Sequence, residues 1–325
     1  MDKNIKTKKE KKIVVIGGGT GVFAVLTGLK EYPFHLSAIV TTADDGGSSG
    51  RLREEFGILP PGDIRRALVA LSSSSPILSK LFNYRFENGS GLKGHAFGNL
   101  FLTAMERITG DFNRAIREVS NILFIKGEVI PVTLDDARLI AQLENNILIV
   151  GETNIDVPKH DGNLAIRKIF LNPPAKANPE AVKAIQKADA IIIGPGDLYT
   201  SIIPNFLAKG IPEAIKKSKA KKIYFCNIMT KFGETNNFSA KDFLAVLEKY
   251  LDKGVIDYFI INTKKPSKFY LDKYKKEKSE LVKFNRKELL AFKKPKVVFF
   301  DLLRKGPLLR HDPKKIAEII VKTIF

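Results

Sequence analysis

The chain has 325 residues, of which 44% are hydrophobic and 27% are charged, a composition typical of a globular protein with a large buried core. No run of about 18 apolar residues is present, so the sequence predicts no transmembrane segment. The single cysteine, Cys226, excludes an intramolecular disulfide and a zinc site built from several cysteines. Because we also find no secretory signal, we expect a cytoplasmic protein.

The net charge is +19, from 54 basic and 35 acidic residues. The lysines concentrate at the N-terminus and in segment 264–296, where lysine and glutamate interleave as on a solvated helix face. No recognised nucleic-acid-binding motif accompanies them, so we expect no nucleic-acid partner. We expect residues 1–12 to form a basic, flexible tail and residues 13–325 to form one domain.

The sequence after the tail predicts a strand, a glycine loop, a helix and a second strand. The apolar run KIVVIGGG is typical of a buried parallel strand, and a helix over about 22–31 and the strand LSAIVTT follow it. This order indicates the mononucleotide-binding half of a Rossmann-like sheet. Four helices are predicted next: one has Asp63 as its N-cap, and the others cover about 77–86, 98–108 and 111–123.

Residues 126–174 contain short β-type runs, with the turn candidate ENN between two of them. We interpret this stretch as a β-rich insertion. The α/β pattern then resumes, with strands at ADAIIIG, KIYFCNIM, VIDYFIIN and KVVFFDLL, and with Ser239 and Asp312 as predicted helix N-caps. The predicted fold class is therefore α/β: a Rossmann-like, doubly wound, mostly parallel sheet with a β-rich insertion about 126–174.

The stretch GGGTGVFA places a G-x-G-x-x-A pattern between the first strand and the first helix. Glycines let the backbone approach a phosphate closely, and the helix N-terminus offers free N–H groups. We therefore interpret Gly18, Gly19, Thr20 and Gly21 as ligand-binding residues. The alternative is a tight turn that holds no ligand.

The second strand ends at ADDGGSSGR, where two carboxylates precede a glycine- and serine-rich turn. Asp44 and Asp45 lie where a Rossmann acid meets a ribose, and Ser48 and Ser49 could hold an anion. This segment could bind a ribose, a Mg²⁺–phosphate or a second phosphate. The alternative is a mobile polar turn that binds no ligand.

Later loops add candidates at the same edge, because the carboxyl ends of parallel strands share one side of a sheet. In GHAFGNL, His95 and Asn99 lie four residues apart and either contact the ligand or pack. The remaining candidates follow the strands ADAIIIG and KIYFCNIM or precede the last helix: Gly194, Gly196, Tyr199, Thr200, Asn227, Thr230 and Arg310.

Six stretches in this order resemble the gluconeogenesis factor family (YvcK-like), which is related to 2-phospho-L-lactate transferase (CofD-like) enzymes. They are IVVIGGGTG, TTADDGGSSGRLREEFGILPPGDIRRAL, NGSGLKGHAFGNLFLTA, IIIGPGDLYTSIIPNFL, NIMTKFGET and LLRHDPKKIAEII. Only the N-terminal tail and segment 264–296 fall outside the resemblance. Asp197 departs from the pattern, because the family usually has a small polar residue after GPG.

The resemblance implies a Rossmann-like cytoplasmic protein that supports cell shape and peptidoglycan synthesis during gluconeogenic growth. It implies UDP-N-acetylglucosamine as the ligand and no established reaction. It places Thr20, Asp44 and Asp45 in the ligand loops and Asn205 and Arg310 at the UDP-sugar. We also expect a homo-oligomer and cell-wall synthesis proteins as partners.

Three functions remain open on the sequence. The favoured one is a nucleotide-sugar-binding regulator with little or no turnover. A Mg²⁺-dependent transferase with a nucleotide-diphosphate donor is the alternative, in which Asp44, Asp45 and Asp63 would organise the metal. An NAD-dependent oxidoreductase follows from the glycine loop alone, although the doubled aspartate is unlike a simple ribose-binding acid.

Overall fold

Two sheets organise the protein in a computed structural model that describes residues 10–324. The larger sheet has seven parallel strands in the order β10-β9-β8-β7-β1-β2-β3, and the smaller has three antiparallel strands in the order β5-β4-β6. The strands are β1 (Lys11–Gly17), β2 (Phe34–Val40), β3 (Glu128–Pro131), β4 (Arg138–Leu143), β5 (Leu148–Val150), β6 (Ile166–Asn172), β7 (Ala190–Ile193), β8 (Lys221–Phe225), β9 (Tyr258–Asn262) and β10 (Lys296–Phe300).

Helices cover both faces of the larger sheet, which confirms the doubly wound α/β class. They are α1 (Gly19–Leu29), α2 (Gly47–Phe56), α3 (Gly62–Leu71), α4 (Pro76–Asn83), α5 (Phe97–Thr109), α6 (Phe112–Ile122), α7 (Glu152–Asp156), α8 (Pro179–Lys187), α9 (Ile211–Lys217), α10 (Ala240–Leu251), α11 (Lys268–Lys276), α12 (Arg286–Leu290) and α13 (Pro313–Ile324). A π-helix (Leu198–Ile202) and a 3₁₀-helix (Ile203–Phe206) precede α9.

The buried core lies on both sides of the sheet because its central strands are apolar throughout. Residues 13–16 of β1 and 190–193 of β7 are all fully buried, and their side chains alternate between two hydrophobic clusters. Helices α1, α3 and α13 close one cluster, while α8, α9 and α10 close the other. A strand that is buried on both faces has a continuous run of apolar residues, which is why β1 and β7 are recognisable from the sequence.

The predicted insertion is smaller than 126–174. Its first run, GEVIP, contributes β3, which pairs in parallel with β2 at the edge of the larger sheet. The antiparallel sheet begins only at β4, and the ENN turn joins β4 to β5 as predicted. A short apolar run carries no information about its partner strand, so the pattern alone could not separate β3 from the insertion.

Two predicted helix caps are confirmed and one is wrong. The Ser239 side chain accepts the Asp242 N–H in a capping box, and Asp312 accepts the Lys314 N–H at 2.9 Å. Asp63, in contrast, lies inside the first turn of α3, whose N-cap is Pro61. Its carboxylate is used elsewhere, as described below.

The strand order creates a switch point between β1 and β7, since the chain continues from β1 to one side and returns on the other. Helix α13 packs on α1, and an added Cβ at Gly28 would lie 2.1 Å from the carbonyl oxygen of Pro313. Because β10 is the edge strand, segment 301–312 must cross the carboxyl edge of the sheet to reach α13. That crossing carries Arg310 and His311 to the switch point.

Residues 1–9 of the predicted tail lie outside the described residues, and Lys11 and Lys12 already belong to β1. Among the described helices, none combines the length and the apolar content that a bilayer crossing requires.

Candidate functional site

A cleft of about 2200 Å³ opens at the carboxyl edge of the sheet, at the switch point between β1 and β7. Its walls come from the glycine loop, the loop after β7, the loop after β8, part of α11 and segment 303–315. Open α/β sheets bind their ligands at this position. The cleft is therefore the candidate functional site.

The glycine loop, residues 18–21, forms one wall of the cleft. Gly19 has φ +62°, in the left-handed region that favours glycine. An added Cβ at Gly21 would lie 1.9 Å from the carbonyl oxygen of Pro195, so the loops after β1 and β7 touch through their backbones. This contact keeps the N-terminus of α1 at the edge of the cleft.

Asp63 lies behind the glycine loop rather than capping α3. Its carboxylate is buried, accepts a backbone hydrogen bond from Gly19 and pairs with Arg66 at 2.9 Å. Burial raises the pKa of Asp63, and nearby Asp44 raises it further, while Arg66 lowers it. Because Gly19 donates to Asp63, a phosphate at this helix N-terminus would use the next N–H groups, of Thr20 and Gly21.

Asp44 and Asp45 have different surroundings. Asp45 accepts the N–H groups of Glu152 at 3.1 Å and Thr153 at 2.8 Å, and thereby fastens α7 of the insertion to the core. Asp44 accepts the N–H of Gly46 at 2.9 Å. The pKa of Glu152 is raised to about 9, first by burial and then by the charges of Asp44, Asp156, Asp45 and Asp63. Asp44, Asp63 and Glu152 thus gather as an acidic cluster behind the glycine loop.

Ser48, His95 and Asn99 form a buried hydrogen-bonded group outside the cleft lining. The Ser48 hydroxyl lies 3.1 Å from His95 Nδ1 and accepts from Asn99 Nδ2 at 3.1 Å. Asn99 Oδ1 in turn accepts from Arg65 Nε at 2.9 Å. Burial lowers the pKa of His95 and so favours the neutral ring. Ser49 is buried in the same helix, α2.

The loop after β7 directs most of its polar side chains inward. Tyr199 donates its N–H and Thr200 its hydroxyl to the buried carboxylate of Glu234, both at 3.1 Å. Asn205 is fully buried, and its Nδ2 donates to the carbonyl oxygens of Ser201 at 2.9 Å and Ile202 at 3.1 Å. These contacts shape the loop that supports the cleft.

Lys231 holds three carboxylates at the wall of the cleft. Its ammonium group pairs with Asp156, with Asp197 at 3.0 Å and with Glu234 at 3.5 Å. The three carboxylates approach within 4.8 Å of one another, and burial raises the pKa of Glu234 to about 8. The extra carboxylate of Asp197 is therefore paired with Lys231, which it shares with Asp156 and Glu234.

Asn227 and Thr230 follow β8, and both line the cleft. Thr230 exchanges two hydrogen bonds with the backbone of Glu280, at 2.7 Å and 2.9 Å, which joins the loop after β8 to the segment after α11. Arg310 is exposed in the cleft and belongs to segment 303–315, which also carries Arg304, Lys305, Lys314 and Lys315.

The structure divides the predicted site residues into two groups. Those that line the cleft are Gly18, Gly19, Thr20, Gly21, Gly196, Asn227, Thr230 and Arg310. Those that do not are Asp44, Asp45, Ser48, Ser49, His95, Asn99, Gly194, Tyr199, Thr200 and Asn205. No sequence motif predicted a role for Lys231, Glu234, Thr27 or His311. The one sequence feature that could have indicated any of these four residues is the position of His311 next to the predicted ligand-binding residue Arg310.

Comparison with known proteins decides the family. The family model for 2-phospho-L-lactate transferase CofD matches residues 13–302 of this sequence, which is most of the chain. The chain belongs to this family. The match confirms the resemblance drawn from the motifs.

Two curated relatives are named gluconeogenesis factor. The protein of Halalkalibacterium halodurans is 45% identical over 315 residues, covering 97% of each chain. The protein of Bacillus subtilis is 42% identical over 311 residues, covering 95% of this chain and 97% of its own. A crystal structure of a UPF0052 family member from Bacillus halodurans aligns with a TM-score of 0.91 and 44% identity, over 96% of this chain and 99% of that one.

Proposed function

We propose that the protein is a gluconeogenesis factor that binds a nucleotide sugar, UDP-N-acetylglucosamine, in the cleft and acts as a regulator rather than an enzyme. In this role it would support cell shape and peptidoglycan synthesis in the cytoplasm during gluconeogenic growth. The names of its curated relatives support the first part of this proposal.

One observation carries the ligand assignment: the N-terminus of α1 and the exposed guanidinium of Arg310 line the same cleft. A diphosphate is well matched by a helix N-terminus together with an arginine, because both supply N–H donors and positive potential. The cleft volume of about 2200 Å³ also exceeds what a phosphate alone would fill.

Calorimetric titration of the purified protein with UDP-N-acetylglucosamine, NAD⁺ and GTP, each with and without Mg²⁺, tests the proposal. We expect saturable binding of the UDP-sugar, and a loss of about 10- to 100-fold in affinity for Arg310→Ala, because a charge-assisted bond to phosphate contributes about 1.5–3 kcal/mol. Arg117→Ala is the matched control, since Arg117 is exposed and pairs with Glu180 outside the cleft. Product formation over hours would contradict a regulator without turnover.

Asn205 has an indirect place in this proposal. Its amide donates hydrogen bonds to two carbonyl oxygens of the loop after β7, so Asn205→Ala should weaken binding of the UDP-sugar by disturbing that loop. A loss of thermal stability that accompanies the loss of binding would distinguish this from a direct contact.

The acidic cluster of Asp44, Asp63 and Glu152 favours a second candidate, a Mg²⁺-dependent transferase that uses a nucleotide-diphosphate donor. Carboxylate oxygens are the ligands that Mg²⁺ prefers, and a bound cation would stabilise charge on a transferring phosphate. This candidate would be favoured over the regulator if the protein binds a guanine nucleotide tightly and only with Mg²⁺, and if Asp44→Asn abolishes that binding. The protein should then show no binding of the UDP-sugar.

The predicted homo-oligomer and the predicted cell-wall partners belong to the same proposal. Size-exclusion chromatography with light scattering, with and without the UDP-sugar, tests whether the chain self-associates and whether the ligand changes its state.

A further inference from the structure

Three buried polar atoms along the cleft have no hydrogen-bond partner among residues 10–324: Thr27 Oγ1, Asn227 Oδ1 and His311 Nε2. All three residues line the cleft, and they come from different parts of the chain. A buried polar atom without a partner costs about 1–3 kcal/mol, so such atoms gathered in one place indicate a bound group that supplies the missing bonds.

The three residues are connected through their neighbours. The backbone of Cys226, the residue before Asn227, hydrogen-bonds the ring of His311. On the other side, the backbone of Pro313, two residues after His311, packs directly on Gly28, the residue after Thr27. The three residues therefore lie on segments that contact one another along the cleft, and we call them the acceptor subsite (Thr27, Asn227 and His311).

The chemistry of the acceptor subsite follows from the state of the His311 ring. The N–H of Cys226 already donates to the carbonyl oxygen of Ile260, so the carbonyl of Cys226 must accept from the ring. Because Nε2 has no partner, that bond uses Nδ1–H. Burial lowers the pKa of His311 to about 4, so Nε2 presents a lone pair at pH 7.

Asn227 Oδ1 is likewise an acceptor, and the hydroxyl of Thr27 can accept as well as donate. A phosphate group that is fully ionised has no hydrogen to donate, so it cannot satisfy Asn227 Oδ1 or His311 Nε2. Hydroxyls and ring or amide N–H groups can. Because the atoms are buried in the wall, the donor must project from the ligand, as a ribose or sugar hydroxyl does, and the side chains that carry the atoms must turn toward it.

We propose that the acceptor subsite binds hydrogen-bond donors of the nucleoside or sugar part of the ligand, while the phosphates lie at the glycine loop. This inference rests on the proposed function, because it assigns the two ends of the same ligand to two parts of the cleft. Thr27 lies seven residues after Thr20 on α1, or about 10 Å along the helix axis, a separation that a nucleotide spans.

Substitutions at His311 separate its two ring nitrogens. In His311→Asn the amide N–H can still serve the carbonyl of Cys226, while the acceptor at the Nε2 position is lost. In His311→Gln the amide reaches the Nε2 position, so an acceptor is retained there. His160→Phe is the matched control, because His160 Nε2 is also buried without a partner but lies outside the cleft lining.

Calorimetry with two ligands, UDP-N-acetylglucosamine and inorganic pyrophosphate, tests whether the acceptor subsite contacts the nucleoside or sugar part and not the phosphates. We expect His311→Asn to weaken the affinity for UDP-N-acetylglucosamine about tenfold and to leave the affinity for pyrophosphate unchanged, because one hydrogen bond is lost from only one ligand. His311→Gln should recover part of the loss, and His160→Phe should change neither ligand. Arg310→Ala should weaken both. Thermal melts of each variant check the fold.

Equal losses for the two ligands in His311→Asn, or no loss for either, would overturn the acceptor subsite while leaving UDP-sugar binding intact. A wild-type protein that does not bind UDP-N-acetylglucosamine would overturn the proposed function instead. In that case the same variants are measured with GDP and NAD⁺, and the acceptor subsite is overturned if no ribose-bearing ligand binds or if the variants bind it as the wild type does.

Discussion

Gly21 is the residue whose replacement should most directly damage the cleft. An ideal Cβ at this position lies 1.9 Å from the carbonyl oxygen of Pro195, 2.5 Å from its carbonyl carbon and 3.1 Å from the nitrogen of Gly196. Relief requires a movement of about 1 Å between two backbones that follow the central strands β1 and β7, whose residues 13–16 and 190–193 are fully buried, and close-packed interiors resist such shifts. Overpacking of this kind costs about 3 kcal/mol, at the upper end of the usual range.

Urea denaturation of Gly21→Ala measures this cost, and titration with UDP-N-acetylglucosamine measures its effect on the cleft. We expect a loss of about 3 kcal/mol in the free energy of unfolding and at least about a tenfold loss of affinity, since the helix N-terminus is displaced from the opposite loop. Gly57→Ala is the control: Gly57 has φ +67° and open space around it, so only the left-handed backbone costs about 1 kcal/mol. A Gly21→Ala variant as stable as Gly57→Ala would refute the reasoning.

Three further substitutions test the charged groups around the cleft. Because the folded pKa of Glu152 is about 9, above its unfolded value, its stabilising effect is present at low pH and is lost as pH rises. Glu152→Gln should therefore match the wild type at pH 5 and be the more stable protein at pH 9, and urea curves that stay parallel across this range would contradict this. Lys231→Met should cost about 3–5 kcal/mol at pH 9, above the pKa of about 8 of Glu234, because it leaves that buried carboxylate without its cation, and the loss should be smaller at pH 6, where Glu234 is protonated. Asp45→Ala should cost about 1 kcal/mol and speed hydrogen exchange at residues 152–156, whereas unchanged exchange there would show that Asp45 does not hold α7.

Local features of the fold could be predicted from the sequence because their causes lie within a few residues. The strand β1, the glycine loop and α1 follow from an apolar run that breaks into glycines. The caps at Ser239 and Asp312 depend only on the backbone N–H groups two or three residues later. The convergence of loops from β1, β7 and β8 also follows from the sequence, because parallel strands place their carboxyl ends at one edge however far apart they lie in the chain.

Side-chain partners that are distant in the sequence depend on the tertiary structure. The sequence predicts a cap at Asp63, yet the folded chain turns its carboxylate toward Gly19 and Arg66. The resemblance implies that Asn205 contacts the UDP-sugar, which stays a prediction, and the fold adds that its Nδ2 donates to the carbonyl oxygens of Ser201 and Ile202. In each case a polar group that becomes buried takes whichever partner the packing supplies, and no local pattern identifies that partner.

The sequence by itself therefore determined the fold class, the family and the edge of the sheet at which the cleft lies, because periodicity, glycine loops and long motifs are properties of the chain alone. The tertiary structure decided which residues face the cleft. Segment 301–312 crosses the carboxyl edge of the sheet from β10 to α13 and brings His311 beside Cys226, and Lys231 reaches carboxylates from α7 and from the loop after β7. These arrangements depend on the order of the strands in the sheet, which joins residues that are more than 30 positions apart.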